Sequence, residues 1–295
     1  YAIDNSLRAP LDEAIVNLRD HITKVAKLEK YLEERFPIKW LHFWHEIEQL
    51  RNNQMHSISF TEVKDLAAKC GIIKRKLVFT SLHLYHDLGN IVYYGKLDTP
   101  DSLLNDIIIL NPQWLILVFS KVFTVNAFSN KYSHLESSLE RLHEHGILEE
   151  RLLRHMWHKF LDQFEFLSEL MQKFDLLCLK TCLKTESDEM PADVVQSTEE
   201  GIRLFYVPSL LKKQDDETVC KDQPVESKSM VILYIDFNGF LPEGIFYRLV
   251  VRLVQWSQNK KGYEPRLFYQ RAILFVDESH EMIVRILPEK SSCIE

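Results

Sequence analysis

Glycine is scarce in this sequence, with eight residues among 295. Nucleotide-binding α/β enzymes use glycines in the loops that surround phosphates, and neither GxxxxGK[ST] nor GxGxxG occurs. The HExxH pattern of zinc peptidases and the GxSxG pattern of serine hydrolases are also missing. The sequence therefore offers no phosphate-binding loop and no recognisable hydrolase motif of its own.

Cysteine, long apolar runs and positive charge are limited as well. The five cysteines are scattered without a CxxC pair, which favours reduced thiols in a cytoplasmic protein. No apolar run approaches the roughly 18 residues of a membrane span, and the first residues lack a signal-peptide pattern. The formal net charge of −7 argues against a general nucleic-acid binder, which usually carries a basic face.

What is present is a helical first part. Apolar residues recur with helical spacing through most of residues 11–175. Between residues 40 and 110 the pattern predicts a helix, a short strand (57–60), a helix with Thr61 as N-cap and a helix ending at Gly89. Two strands, IVYYG and DIIIL, follow. This is the element order of a winged helix-turn-helix.

The pattern changes near Leu176. Strands are predicted for LLCLKTCL, RLFYVPSLL, MVILYIDFNG, RLFYQRAILFVD and EMIVRILPE, and a helix is predicted from Pro242–Glu243. Two polar insertions interrupt these strands and read as solvated loops. We therefore predict an α+β fold, with a helical, winged-helix-like first half followed by an antiparallel sheet packed with a helix.

Four patterns could carry function. His86–Asp87 could be a catalytic base and acid, but adjacent helix residues point about 100° apart, so a helix end is the favoured interpretation. The pairs His42/His45 and His155/His158 could bind a metal, but each lacks an obvious third ligand. The cluster at residues 74–76 could begin a DNA-recognition helix, although the rest of that helix is apolar and the wing carries two aspartates.

The fourth pattern is the helix after Pro242, which is apolar around most of its surface. Arg248, Arg252 and Gln255 form one narrow polar stripe along it. The helix could be a core helix against the sheet, or part of its apolar surface could meet another subunit.

Six segments in this order resemble the COR domain of Roco proteins. They are HDLGNIVYY, DIIILNPQWLILVF, GILEERLLRHMW, LSELMQKFDLLC, FYVPSLL and FNGFLPEGIFYRLVVRL. The resemblance runs from about residue 35 to at least 290. It implies a non-catalytic module that follows Roc, a Ras-like GTPase domain, in large cytoplasmic signalling proteins. Leucine-rich repeats and a kinase domain can accompany it.

The resemblance also implies a division of the chain. Residues 1–30 would be the tail of the Roc domain with a linker helix, residues 31–178 would be COR-A, and residues 179–295 would be COR-B. COR-A would pack on Roc, and COR-B would form a homodimer. The GTP or GDP and its Mg²⁺ are expected on Roc, with no cofactor or metal in this chain. We expect no membrane span and no nucleic-acid partner, with a winged-helix nucleic-acid-binding domain as the alternative.

Residues that match the family motifs become interface candidates. Those expected to face Roc are His86, Asp87, Leu88, Gly89, Ile108, Asn111 and Trp114. Those expected at the dimer interface are Phe240, Leu241, Phe246, Arg248 and Arg252.

Overall fold

The computed structural model describes residues 13–30, 35–99, 102–124, 135–180, 202–214, 231–258, 264–277, 280–287 and 290–295. Within these ranges the first half is helical and the second half is rich in antiparallel strands, which confirms the predicted α+β class. None of the described helices is long and apolar enough to cross a membrane. The first twelve residues of the predicted Roc tail and most of the two polar insertions lie outside the described residues.

Helices dominate the described part of the first half. They are α1 (Glu13–Ala26), α2 (Ile38–Asn52), α3 (Phe60–Lys69), α4 (Arg75–Asp87), α5 (Pro112–Phe123), α6 (Glu136–His145), α7 (Glu150–Met156) and α8 (Phe164–Lys173). Three short strands lie between them: β1 (Ser57–Ser59), β2 (Ile107–Ile109) and β3 (Ile147–Glu149). The order α2-β1-α3-α4-β2 is the one predicted from the sequence, except that one strand instead of two follows α4.

The small sheet of this region differs from the predicted two-stranded wing. Strand β2 pairs antiparallel with β1, so that Ile108 lies opposite Ile58. The segment IVYYG contributes a single bridge, from Val92 to Ile109. The partner of DIIIL is therefore mainly the strand before α3.

Helix α3 begins with a capping box at Ser59, two residues earlier than the predicted N-cap. The Ser59 hydroxyl accepts a hydrogen bond from the Glu62 N–H at 3.2 Å, and the Glu62 carboxylate accepts one from the Ser59 N–H at 3.0 Å. Thr61, the predicted N-cap, lies inside the helix. The S-x-x-E spacing of Ser59 and Glu62 was visible in the sequence and is the stronger start signal.

Two apolar cores fill the first half. One, around Phe43, Phe79 and Tyr93, lies among α2, α3, α4 and the small sheet. The other lies among α5 to α8 and centres on Trp157, which is fully buried and donates its indole N–H to the Val118 carbonyl at 3.1 Å. That hydrogen bond satisfies the one polar atom of the indole.

The described second half contains one helix and seven strands. They are β4 (Cys178–Leu179), β5 (Leu204–Tyr206), β6 (Ile235–Asp236), α9 (Glu243–Gln258), β7 (Arg266–Phe268), β8 (Arg271–Phe275), β9 (Glu281–Leu287) and β10 (Lys290–Ile294). The last five strands form one antiparallel sheet in the order β6-β10-β9-β8-β7. The ten-residue strand predicted for MVILYIDFNG is reduced to two residues, β6, because only Ile235 and Asp236 pair with β10.

A second sheet joins the two halves of the chain. Its order is β3-β5-β4, so β3 from the first half pairs with β5 from the second. Successive side chains of β5 point to opposite faces, and accordingly Phe205 packs into the Trp157 core while Tyr206 packs into a third core beneath α9. The boundary predicted between residues 178 and 179 falls inside β4, and the division of the chain at that point stays a prediction.

Candidate interaction surfaces

The end of α4 carries four of the residues predicted to face a GTPase domain. Gly89 has φ of +73°, its N–H donates to the His86 carbonyl, and the Asn90 N–H donates to the Tyr85 carbonyl. This pair of hydrogen bonds is the Schellman motif, which favours glycine at its left-handed position. Leu88 is 63% exposed, so the helix end presents an apolar side chain to its surroundings.

His86 packs rather than forming a catalytic pair. Its ring meets the ring of Tyr94 edge-on, with centroids 4.7 Å apart, and its Nδ1 is buried without a hydrogen-bond partner. Asp87 is exposed, on another side of the helix. The favoured sequence interpretation, a helix end, matches this geometry.

The three other Roc-facing candidates contribute to the core or to a helix cap within the chain. Ile108 is fully buried, and Trp114 is 8% exposed and stacks on His56 with ring centroids 5.3 Å apart. Asn111 caps α5, because its Oδ1 accepts hydrogen bonds from the N–H groups of Gln113 and Trp114. In this structure Ile108 and Trp114 offer little side-chain surface to a partner.

The residues predicted for the dimer interface also divide into two groups. Leu241 and Phe246 are buried in the core beneath α9, where their side chains have little exposed surface. Arg248 and Arg252 are engaged within the chain by Asp175. Phe240, at 75% exposure, is the one of the five candidates with an exposed apolar side chain.

Asp175 ends helix α8 in a conformation that usually belongs to glycine. Its φ is +57°, and the N–H groups of Asp175 and Leu176 donate to the carbonyls of Gln172 and Met171. These are the two hydrogen bonds of the Schellman motif, with an aspartate at the left-handed position. For a residue other than glycine that conformation costs about 1 kcal/mol or more.

The Asp175 carboxylate faces helix α9. Its side chain is 8% exposed, and Oδ2 accepts hydrogen bonds from Nε of Arg252 at 2.8 Å and from Nη2 of Arg248 at 3.4 Å. The side chain of Arg248 is 54% exposed and that of Arg252 is 67% exposed. The contact therefore ties the end of α8 in the first half to α9 in the second half.

Tyr94 lies where these two helix ends meet. Its ring contacts His86 near the end of α4 and Phe174 near the end of α8, with the Phe174 centroid 5.6 Å away. The Lys173 ammonium lies 5.7 Å from the Tyr94 centroid. Burial raises the pKa of the Tyr94 hydroxyl, and the nearby positive charge of Arg248 opposes that rise. We call Tyr94, Phe174, Asp175, Arg248 and Arg252 the junction.

An apolar segment lies exposed at the edge of the five-stranded sheet. Strand β6 lies at one edge of the sheet, and the four residues that precede it, 231–234, form no regular strand. Five consecutive apolar side chains are 44% to 84% exposed: Val231, Ile232, Leu233, Tyr234 and Ile235. Exposed apolar edges are uncommon, because they template pairing with another strand. We call residues 231–235 the edge segment.

The structure also shows where the candidate metal-binding and DNA-binding residues lie. Among the described residues, no group of three or more His, Cys, Asp and Glu side chains could hold a metal ion. In the basic cluster at the start of α4, the Arg75 guanidinium lies over the rings of Phe60 and Phe79, at 5.8 and 5.5 Å. Lys74 and Lys76 are exposed.

A second ionic cluster was missed by the sequence interpretation. Glu150 at the start of α7 accepts hydrogen bonds from Nε of Arg154 at 2.6 Å and from Nε of Arg203 at 2.8 Å. Arg203 also makes two hydrogen bonds to Glu165. The hydrogen bond from Arg203 is the main reason that the pKa of Glu150 falls to about 2. Arg203 is 53 residues from Glu150 in the chain, so no local pattern announces the pair.

Comparison with known families supplies the context of these surfaces. Residues 37–192 match the model of the family described as "C-terminal of Roc, COR-A domain". This chain belongs to the COR-A family. The COR-A match begins just before α2, covers α2 to α8 together with β4, and ends before β5. COR-A accompanies the Roc domain in Roco proteins and is a non-catalytic part of them.

Similar curated proteins come from Dictyostelium discoideum and extend the comparison past COR-A. The probable serine/threonine-protein kinase pats1 is 22% identical over 95% of this chain, which spans 8% of that protein. The probable serine/threonine-protein kinase roco11 is 24% identical over 73% of this chain, which spans 13% of it. A further relative, roco5, is 28% identical over 48% of this chain and 4% of its own length. The chain thus corresponds to a small part of each relative.

Proposed function

We propose that this chain is a regulatory and dimerisation module that couples a neighbouring Roc GTPase domain to the rest of a cytoplasmic Roco signalling protein. The observation that carries the proposal is the COR-A match over residues 37–192. In this proposal guanine nucleotide and Mg²⁺ bind on Roc, and the chain performs no reaction itself. Whether the whole protein also contains a kinase domain, as the names of its relatives indicate for them, is a separate proposal.

The surface proposed to face Roc is the end of α4. Leu88 supplies an exposed apolar contact there, and the Gly89 turn keeps the backbone open, since no described atom lies within 4 Å of a Cβ placed at that position. Exposed apolar side chains with polar neighbours are typical of protein interfaces. Buried Ile108 shares the Phe43 core with Tyr85 of α4, whereas Trp114 is buried in the Trp157 core and Asn111 caps α5.

The surface proposed for self-association is the edge segment together with Phe240, rather than buried Leu241 and Phe246. A second copy of the chain is the proposed occupant. The edge of a sheet with five exposed apolar residues is suited to antiparallel pairing with an identical edge, because a two-fold axis brings the same surface of both copies together. Residues 179–295 would then act as the COR-B half of the module.

Two lysine substitutions test the two surfaces against each other. Leu233→Lys places a charge on the edge segment, and Leu88→Lys places the same charge on the end of α4. We expect Leu233→Lys to abolish self-association measured by light scattering across concentration, while leaving binding to a separately purified Roc domain intact. Leu88→Lys should have the opposite pattern.

Two results would contradict the proposal. A strictly monomeric wild-type chain at about 100 μM would remove self-association, because stable interfaces bury over about 1,000 Å² and persist at such concentrations. Equal Roc binding by the wild type and by Leu88→Lys would remove the α4 surface.

A further inference from the structure

Asp175 is an unfavourable residue for the place that it occupies in helix α8. Helices α3 and α4 end with the same pair of backbone hydrogen bonds and have glycines, Gly71 and Gly89, at the left-handed position. Aspartate is strained there, and its negative charge lies at the negative end of the helix dipole. Its carboxylate is also largely removed from water. The end of α8 alone gives no reason for this residue.

The reason lies on α9. Arg248 and Arg252 are one helical turn apart, so both guanidinium groups reach the same carboxylate oxygen. The opposite side of α9 is apolar and packs into the third core through Phe246 and Val250. The core sets which face of α9 is buried, and the ionic contact fixes where along the end of α8 that helix lies.

Helix α9 and the sheet that it covers belong to one packed unit. Ala272 and Leu274 of β8 and Val284 of β9 share the third core with α9. On its other side the junction reaches the end of α4, because Tyr94 touches both His86 and Phe174. A displacement of the end of α4 would therefore be transmitted through side-chain contacts to α9, and a displacement of α9 to the end of α4.

We propose that Asp175, Arg248 and Arg252 form an ionic latch that holds α9 and its five-stranded sheet against the helical half, with Tyr94 linking the latch to the end of α4. The latch is a conformational device and needs no ligand. The role of the latch in transmitting the state of Roc to the dimerisation surface rests on the proposed function, because it requires that the end of α4 faces Roc. The latch itself is a property of this chain alone.

Hydrogen exchange measured by mass spectrometry on the isolated chain tests the latch. Asp175→Asn keeps the shape of the side chain and removes its charge. We expect amides of α9 to exchange about two- to fivefold faster in this variant, the range set by a partly exposed ion pair, while amides of α2 and α3 are unchanged. Arg252→Gln should give a similar change, and the double variant should add little to either single one.

A matched control separates the latch from a general loss of charge. Arg266→Gln breaks the exposed ion pair between Arg266 and Glu281 inside the same sheet. It should leave exchange in α9 unchanged. If Asp175→Asn fails to fold, Asp175→Gly replaces it, because glycine suits the helix end and removes only the side chain.

The remaining arm addresses Tyr94. Tyr94→Leu should accelerate exchange both at the end of α4 and in α9, since it removes the ring contacts to His86 and Phe174. Unchanged α9 exchange in the Asp175 variants would overturn the latch, and so would fully additive effects in the double variant. If Tyr94→Leu changes α9 exchange no more than Arg266→Gln does, the link through Tyr94 is overturned. These measurements use no Roc domain, so the latch can fail while Roc binding survives, and Roc binding can fail while the latch stands.

Discussion

The ends of helices α4 and α8 have the same backbone geometry and opposite surroundings. At the end of α4 glycine takes the left-handed position and the space around it is open. At the end of α8 an aspartate takes that position and reaches two arginines of another helix. One end follows the local preference of the chain and leaves a surface open for a partner. The other violates that preference and gains a contact between distant parts of the molecule.

The difference teaches where a strained residue can be informative. Left-handed non-glycine residues persist when the surrounding structure compensates for them, and they concentrate at positions with a role beyond the local turn. Gln54, which ends α2 in the same way, is exposed and shows that strain alone does not indicate such a role. At Asp175 strain, burial and a pair of cations coincide.

The same lysine substitution at both helix ends should separate them most widely. Asp175→Lys puts a third positive charge beside Arg248 and Arg252, and we expect it to lower the free energy of unfolding by about 3 kcal/mol. Gly89→Lys adds strain in open solvent and should cost about 1 kcal/mol. Urea denaturation followed by circular dichroism measures both. Equal losses would mean that the carboxylate of Asp175 has no special partner.

The Glu150 carboxylate, which lies at neither of the two helix ends, offers a contrast in pH dependence. The pKa of Glu150 is lowered to about 2 in the folded chain, so its stabilising contribution is present above its unfolded pKa of about 4.5 and is lost as the pH falls toward 2. Allowing for solvent screening, we expect about 1–2 kcal/mol at neutral pH. Glu150→Gln should flatten the stability of the chain between pH 4.5 and 2. An unaltered acid profile in that variant would assign the acid sensitivity to other carboxyl groups.

A smaller effect is expected from Gly89→Ala. The added Cβ meets no described atom within 4 Å, so the cost is the left-handed conformation alone, about 1 kcal/mol. Thermal unfolding checks the loss, and Gly244→Ala, inside the first turn of α9 without a positive φ, is the matched control that should be neutral or stabilising. A neutral Gly89→Ala would show that the end of α4 readily adopts another turn.

The smallest change in stability should come from Asp175→Gly. Glycine relieves about 1 kcal/mol of strain while the partly exposed ion pairs are lost, and the two effects offset each other to within about 0.5 kcal/mol. Urea denaturation should therefore barely distinguish this variant from the wild type, although exchange in α9 rises. A large destabilisation would mean that the ion pairs contribute far more than exposed pairs usually do.

The comparison also shows what the sequence could predict. Gly89 is recognisable after an apolar helical run, and so are the Asn111 cap with Pro112 and the start of α9 at Glu243, because each depends on residues within one turn. The strand at 230–239 was overestimated, since a continuous run of β-branched and other apolar residues predicts a strand wherever it occurs, and pairing depends on β10, more than fifty residues away.

The surfaces were less accessible to sequence reasoning. Phe246 and Arg252 both lie on α9, and only the tertiary structure shows that the first is buried and that the second is held by Asp175. Asp175 itself reads as the last polar residue of an amphipathic helix. Its one local signal is an aspartate in place of the glycine that ends α3 and α4, followed by the apolar pair Leu176–Leu177.

The shared sheet has a consequence for the order in which the protein can fold during synthesis. Strand β5 lies between β3 and β4 and carries Phe205 into the Trp157 core, yet it follows both partners in the chain by at least 25 residues, from Leu179 to Leu204. A nascent chain that has emerged through residue 192, the end of the COR-A match, still has β3 and β4 without the strand between them. We therefore expect the helical half to remain incompletely folded during synthesis, with one side of its core uncovered, until the segment that contains β5 has been translated.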